Sequence, residues 1–545
     1  MLKRIFSKST KTISAAAILV ASFSVLSRFL GIIRDKILAS EFGAGVTLDA
    51  YYAAFRVPDL LFNLIVLGAL SAGFIPVFTK YVKDFSLSGK ESKEKNKEAW
   101  LLSSYVLNLL MISLVAISIL GMVFANYLVD VLVPGFGPEQ KELTVTLTRI
   151  MFLSPIFLGI SSVLSGVLQS YKRFFAYSLA PILYNLGIIL GAVYFSKVLG
   201  PVGLAWGVIL GAFLHMIIQL PSALISGFTW QLRVDFRNSG LRKILKMMIP
   251  RTLTLAISQI NLLVVTIISS TLIAGSLTVF NFANNLQSFP LGVFGVSFAI
   301  AAFPTLSRLS GQNEKIKKVF NRTFKQILFF IIPSTVLLIT LRAQIIRVIL
   351  GSGKFDWQDT ILTIDTLGFF ALSLFAQATL PLMVRMFYAR HDSKTPFFVG
   401  LIAVVVNVFL SFYLAGIMGV AGLALSFSIS MILNFFLLWI SLRVKLGSFK
   451  EMNILTAILK FSIAAILAGL AVQISKIVIW FFVDMTTFWG VFTQGLGAGI
   501  LGIIVYLAIA YLLKVEELNI LLKRTNKRIK REDLEIENTD QNQQF

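Results

Sequence analysis

Stretches of about twenty residues with little or no charge recur along this 545-residue chain, from Ile13 almost to Lys514. At a rise of about 1.5 Å per residue, a helix made from any of them spans the hydrocarbon of a bilayer. Hydrophobic residues make up 57% of the chain and charged ones 14%, with a mean hydropathy of +0.84, which excludes a water-soluble globular protein of this length. The ten-residue alternation of a membrane barrel is absent. The expected fold class is therefore an all-α polytopic membrane protein. Crossings fall near 13–40, 48–79, 99–126, 144–170, 177–197, 202–227, 244–272, 275–307, 319–348, 358–388, 396–416, 419–442, 454–482 and 488–513, fourteen transmembrane helices in all. Lys3, Arg4, Lys8 and Lys11 before an apolar run suggest a secretory signal, but Ala15 to Ala17 precede the apolar core instead of following it. The segment reads as the first membrane helix.

The net charge of +23 invites a nucleic-acid reading, which its distribution rejects. Assigning alternate connections to one side gathers most of the 49 Lys and Arg there, including seven from Lys514 onward. The opposite connections hold only Lys141, Lys197 and Lys354. By the positive-inside rule both termini are cytoplasmic and the protein is multi-pass in the cytoplasmic membrane. Basic loops and a charged tail over 515–545 make anionic membrane lipids expected partners.

Gly200 to Ala205 (GPVGLA) reappears 219 positions later as Gly419 to Ala424 (GVAGLA). Tyr171 to Arg173, Pro181 and Asn185 have counterparts in Tyr388 to Arg390, Pro396 and Asn407, and Phe74 to Pro76 in Phe303 and Pro304. Matches in one order imply two repeats of six crossings. An even number gives both the same orientation, a parallel-repeat transporter architecture with a central cavity. The expected divisions are an N-terminal six-helix lobe over 1–228, a cytoplasmic linker over 229–243, a second lobe over 244–446, and two further helices over 447–514.

Charge inside the crossings marks the candidate site. Arg28 sits about 22 Å and Arg34 about 32 Å along the first crossing, while Arg56 and Asp59 sit about 12 and 17 Å down the second from its opposite end. These charges share the outer half of the bilayer. An ionisable side chain there costs about 2.5–3.5 kcal/mol on insertion scales, so it faces a cavity or a partner. Arg28 and Asp35 share a helical face, and Asp49, Arg56, Asp59 and Asn63 form a second stripe. Pro58 removes a backbone hydrogen bond between Arg56 and Asp59, which predicts a kink. Guanidinium donates two parallel hydrogen bonds and keeps its charge when desolvated, so Arg28, Arg34 and Arg56 suit a diphosphate. The alternative is internal pairing of Arg34 with Asp35 and of Arg56 with Asp59. In the eighth crossing, Asn281, Asn284, Asn285 and Ser288 share an uncharged polar face that could read sugar hydroxyls or bond between helices. Arg251, after Pro250, either guards the cytoplasmic entrance or snorkels. His215 and Lys476 are expected to make local structural contacts.

No catalytic set emerges, and no carboxylate cluster has metal spacing. With no cysteine and only His215 and His391, no metal site or cofactor is expected. A coupling ion is not legible, but a membrane potential negative inside favours outward movement of an anion by about 2.3 kcal/mol per charge per 100 mV. The sequence does not set the oligomeric state.

Ser27 to Asp35 (SRFLGIIRD), Phe42 to Gly45 (FGAG), Asp49-Ala50 and Ala54 to Pro58 (AFRVP) resemble the N-terminal signature of the MurJ (MviN) family of lipid II flippases. The resemblance continues through Phe74 to Pro76, Pro181, Pro250, Ser258-Gln259, Phe289-Pro290, Gly353 to Phe355 and Lys394 to Pro396. It implies the fourteen-helix MOP-superfamily fold, a central cationic cavity, and two last helices shaping a groove for a polyprenyl tail. The function it implies is alternating-access transport of a polyprenyl-diphosphate-linked glycan, lipid II or another lipid-linked oligosaccharide, to the outer leaflet. Arg28 and Arg34 match the family's cavity arginines. Phe62 and Asn63 stand where members often have arginines, Leu67 where a glutamate often follows, Asn285 at the helix-eight arginine and Asn284 at its acidic neighbour. A drug exporter of the same superfamily would want acidic residues in the cavity. A non-transporting membrane scaffold would want Arg28 fully paired and no wet cavity.

Overall fold

In a computed structural model of the chain, the described residues are 13–67, 73–82 and 90–519, and among them the fold is helical with no strand. Among the described residues ten helices are long and apolar enough to cross a membrane, or eleven if the pair Trp357–Ala371 and Leu374–Ala389, bent by 46°, counts as one span. This is fewer than the fourteen stretches read from the sequence. The Ile13–Phe42 and Val46–Leu61 helices are not in that count, which covers the described residues only; Val46–Leu61 is 16 residues long. The Ser239–Ser270 helix contributes only a shorter apolar piece, Gln259–Ser270.

The helices group into two compact units, one of residues 1–285, 349–366 and 404–426, the other of 286–348, 367–403 and 427–545. Within the first unit, Phe174–Leu190 and the π-helical turn Gly191–Phe195 lie against Val202–Ile217 along a seam of glycines. Cβ atoms added at Gly187, Gly191 or Gly207 would fall on the facing backbone. Small residues at four-residue spacing let helices in lipid approach this closely, where dispersion and not water drives packing. Trp100 stacks on Tyr171 at 5.5 Å, and Phe74 on Phe78 at 5.0 Å, in an apolar cluster of the same unit. The second unit buries Phe320, Phe324 and Phe449 around Trp439, and the Tyr506 hydroxyl donates to the Phe329 carbonyl at 2.7 Å.

Local backbone features recur at one offset. Lys172 and His391 are left-handed at φ 56° and 60°, as are Gly200 and Gly419 at 61° and 58°. Both pairs are 219 positions apart. The Arg173 amide reaches the Leu168 carbonyl at 2.9 Å and the Asp392 amide the Phe387 carbonyl at 3.0 Å, closing the same turn twice. Six-residue π-helical turns at Phe62–Leu67 and Leu291–Val296 form another matched pair. The first follows Pro58 by one turn, where a backbone hydrogen bond is lost. His215 and Lys476 make local contacts, His215 Nδ1 with the Ser161 hydroxyl at 2.7 Å and Lys476 Nζ with the Thr340 carbonyl at 2.9 Å.

Candidate functional site

Four helices of the first unit enclose a pocket of about 210 Å³. Ile13–Phe42 lends Arg34 and Leu38, and Val46–Leu61 lends Tyr51, Tyr52, Phe55, Arg56 and Asp59. Phe174–Leu190 adds Tyr184 and Ile188, and Ser276–Pro290 adds Asn281 and Asn285. Spacings of four and eight residues explain the convergence, since such positions share a helical face.

Arg34 is held on both sides. Its Nε and Nη2 donate to Asp35 Oδ1 at 3.0 and 2.8 Å, and its Nη1 donates to Asn185 Oδ1 at 3.0 Å. The other Asp35 oxygen accepts from Asn285 Nδ2 at 2.9 Å. Asn185 is oriented by its own donation to the Pro181 carbonyl at 3.0 Å. Arg56 is held only by neutral groups, Nε to the Thr266 hydroxyl and Nη2 to Asn281 Oδ1, each at 2.9 Å. Its Nη1 makes no hydrogen bond among the described residues. A guanidinium fixed by neutral acceptors, with one donor edge unspent, is arranged to receive an anion. The cavity is smaller than the ~300–1,000 Å³ usual for small-molecule sites, so it can seat phosphate but not a glycan attached to it.

The structure therefore brings Arg34, Arg56, Asp59, Asn281 and Asn285 together, with Asp35 directly behind Arg34. Of the two internal pairs considered, Arg34 with Asp35 forms, and Arg56 with Asp59 does not within 4 Å. Arg28 is exposed and does not line the pocket, because six residues carry it about 9 Å down the helix and onto another face. Asp49 is not a cavity wall either. It is buried at 1% exposure and accepts from the Gly275 amide (2.7 Å), the Thr278 amide (2.8 Å) and the Thr278 hydroxyl (2.7 Å), closing off the start of the Ser276–Pro290 helix. Asn63 falls in the π-helical turn, and Asn284 and Ser288 are half-buried beyond the pocket lining. The Arg251 side chain lies outside the described residues.

Sequence reasoning missed Tyr51, Tyr52, Tyr184 and Thr266 as site residues, and saw Asn185 only as part of the repeat. Tyr52 precedes Arg56 by four and was legible as its helical neighbour. Tyr184 and Thr266 carry no signal in their own segments, since only packing brings them to the arginines.

Residues 38–493 match the family described as lipid II flippase MurJ. A probable lipid II flippase MurJ of Buchnera aphidicola (subspecies Acyrthosiphon pisum) is 32% identical over 77% of this chain and 81% of its own. One from Vibrio cholerae is 30% identical over 93% of this chain and 97% of its own. Among solved structures, lipid II flippase MurJ in an inward closed conformation superposes with a TM-score of 0.74 at 27% identity, over 91% of this chain and 98% of that one. An inward-facing multidrug transporter of the MATE family, 17% identical with a TM-score of 0.66 over 80% of this chain and 99% of its own, shares the fold. The charged signature at the N-terminal end, the duplicated helices and these likenesses place the chain in the MurJ family of lipid II flippases.

Proposed function

We propose that this protein carries lipid II from the inner to the outer leaflet of the cytoplasmic membrane, without catalysing a reaction on it. The observation that carries the reading is the pocket in which Arg34 and Arg56 converge. The diphosphate docks on the open edge of Arg56 and draws Arg34 from Asp35, which Asn285 continues to hold. The glycan extends out of the pocket, and the polyprenyl chain stays in lipid. Arg28, exposed nearer the cytoplasmic end, offers a first contact on the way in.

The proposed frame is fourteen crossings with both termini cytoplasmic, two six-helix lobes over 1–228 and 244–446 around a central cavity, and the helices of 447–514 guiding the tail. Alternating access by the two lobes exposes the head group outside. A membrane potential negative inside favours that direction for an anion without a dedicated ion site.

Asn284 and Asn285, in place of the charged pair the family resemblance predicts, favour a second reading in which another polyprenyl-diphosphate glycan is carried. Reconstitution into vesicles, with outer-leaflet exposure followed for lipid II and for a polyprenyl-diphosphate sugar lacking the peptide, separates the two. Lipid II transport abolished by Arg56→Ala with folding intact supports the proposal. Equal transport by the parent and by Arg56→Ala and Arg34→Ala refutes it.

A further inference from the structure

A second cavity, of about 430 Å³, opens where the Leu374–Ala389 helix turns into the Lys394–Met418 helix, in the second unit. Arg390, His391, Asp392, Lys394 and Lys445 line it, and the Lys445 ammonium lies over the Phe387 ring, 5.6 Å from its centroid. Asp392 is already spent. It receives Lys445 and caps the helix start by accepting from the Thr395 amide at 3.0 Å and hydroxyl at 2.8 Å. Arg390 gives Nη1 to Asn313 Oδ1 at 2.7 Å, while Lys394 and His391 have no side-chain partner among the described residues. Three cations against one carboxylate leave the cavity positively charged.

The fold does not require a lysine at position 394. The same turn is closed 219 residues earlier with Phe174 and Phe175 at the places of Ser393 and Lys394. What distinguishes the second copy is its continuation. From Lys394, positions four, eight, eleven and fifteen residues on are Phe398, Ile402, Val405 and Phe409, exposed at 58%, 48%, 45% and 73%. On a span of this hydropathy such a stripe faces acyl chains, so it runs from lipid to the mouth of a basic cavity.

We propose that this cavity binds the phosphate of an anionic phospholipid of the leaflet on the basic side of the protein, with Lys394 and Arg390 contacting the head group and Phe398 and Ile402 the acyl chains. A soluble anion would use the charges without the stripe.

Delipidated full-length protein is titrated with phosphatidylglycerol, phosphatidylcholine and inorganic phosphate, and bound lipid is counted by native mass spectrometry. Phosphatidylglycerol is retained over phosphatidylcholine. Lys394→Ala weakens retention about fivefold, the weight of one basic side chain at an anionic surface, and Arg390→Ala with Lys394→Ala about 25-fold. Lys318→Ala, an exposed charge outside the cavity, leaves retention unchanged. Lys394 makes no side-chain hydrogen bond or ion pair among the described residues, and an unchanged melting temperature verifies that its variant is folded. Equal losses in Lys318→Ala and Lys394→Ala, retention untouched by Lys394→Ala, or displacement of the lipid by inorganic phosphate would each overturn the assignment. No transport is measured, so the outcome is independent of the proposed substrate.

Discussion

Removing the Asp49 carboxylate tests how two helices in the first unit are joined. The group is buried and receives three hydrogen bonds of 2.7–2.8 Å, two of them from amides at the start of the Ser276–Pro290 helix. Bonds to a charged acceptor contribute about 1.5–3 kcal/mol each, and an orphaned buried donor costs about 1–3 kcal/mol. In Asp49→Ala all three donors are orphaned, which even after relaxation amounts to about 4 kcal/mol. Asp49→Asn keeps an oxygen for Thr278 but turns an amide or loses an acceptor at Gly275, at about 2–3 kcal/mol. Gly275 cannot adjust, being left-handed at φ 91° with the Ala44 carbonyl where a Cβ would be. Thermal unfolding of the purified protein in detergent should rank parent above Asp49→Asn above Asp49→Ala. Asp59→Asn, whose carboxylate accepts no described hydrogen bond, should lie near the parent. An Asp49→Ala melting point at the parent value, or Asp49→Asn falling below Asp49→Ala, refutes the capping argument.

Arg56→Lys should keep the fold but lower transport by about 10- to 100-fold in a reconstituted flipping assay, because an ammonium cannot span Thr266 and Asn281 and still present a free edge. Gly207→Val drives two methyls into the Gly191 backbone and should cost about 3 kcal/mol or more, read as a lost melting transition or failed insertion. Burial pushes the Asp392 carboxyl up, but Lys445 and Thr395 outweigh it and hold it at about 2. A carboxyl lowered from 3.8 stabilises the turn above that pH and loses the contribution as pH falls through about 2. Hydrogen exchange at the Thr395 amide should therefore be steady from pH 7 to 5 in excess of the intrinsic rate change and lose protection below pH 4, and Asp392→Asn should remove that step.

Much of the fold was legible because hydrocarbon imposes a one-dimensional rule. Apolar runs from 97 onward become helices close to where they were read, as in Lys394–Met418 and Val420–Leu446. Where charge enters a run, as at Arg28 and Arg34 or at Arg56 and Asp59, the helices Ile13–Phe42 and Val46–Leu61 still form. The repeat was legible from glycines because Gly200 and Gly419 must be left-handed, and Lys172 and His391 adopt that conformation with no such residue to announce it. Within the site, Arg34 and Asp35 were found from sequence because neighbours in sequence can pair at once. For Arg56 the internal alternative was Asp59, three places on, but it finds Thr266 and Asn281, more than two hundred residues distant.

By itself the sequence determined a membrane-embedded helical chain and the presence of guanidinium groups inside its first apolar runs. Tertiary structure alone decided which of those groups share a pocket. Asn185, Asn281 and Thr266 fix the arginines, and Asn285 fixes Asp35, through hydrogen bonds whose geometry depends on how five helices rotate against one another. Helical periodicity assigns a residue to a face of its own helix, but only the packing of small and large side chains between helices determines what that face meets.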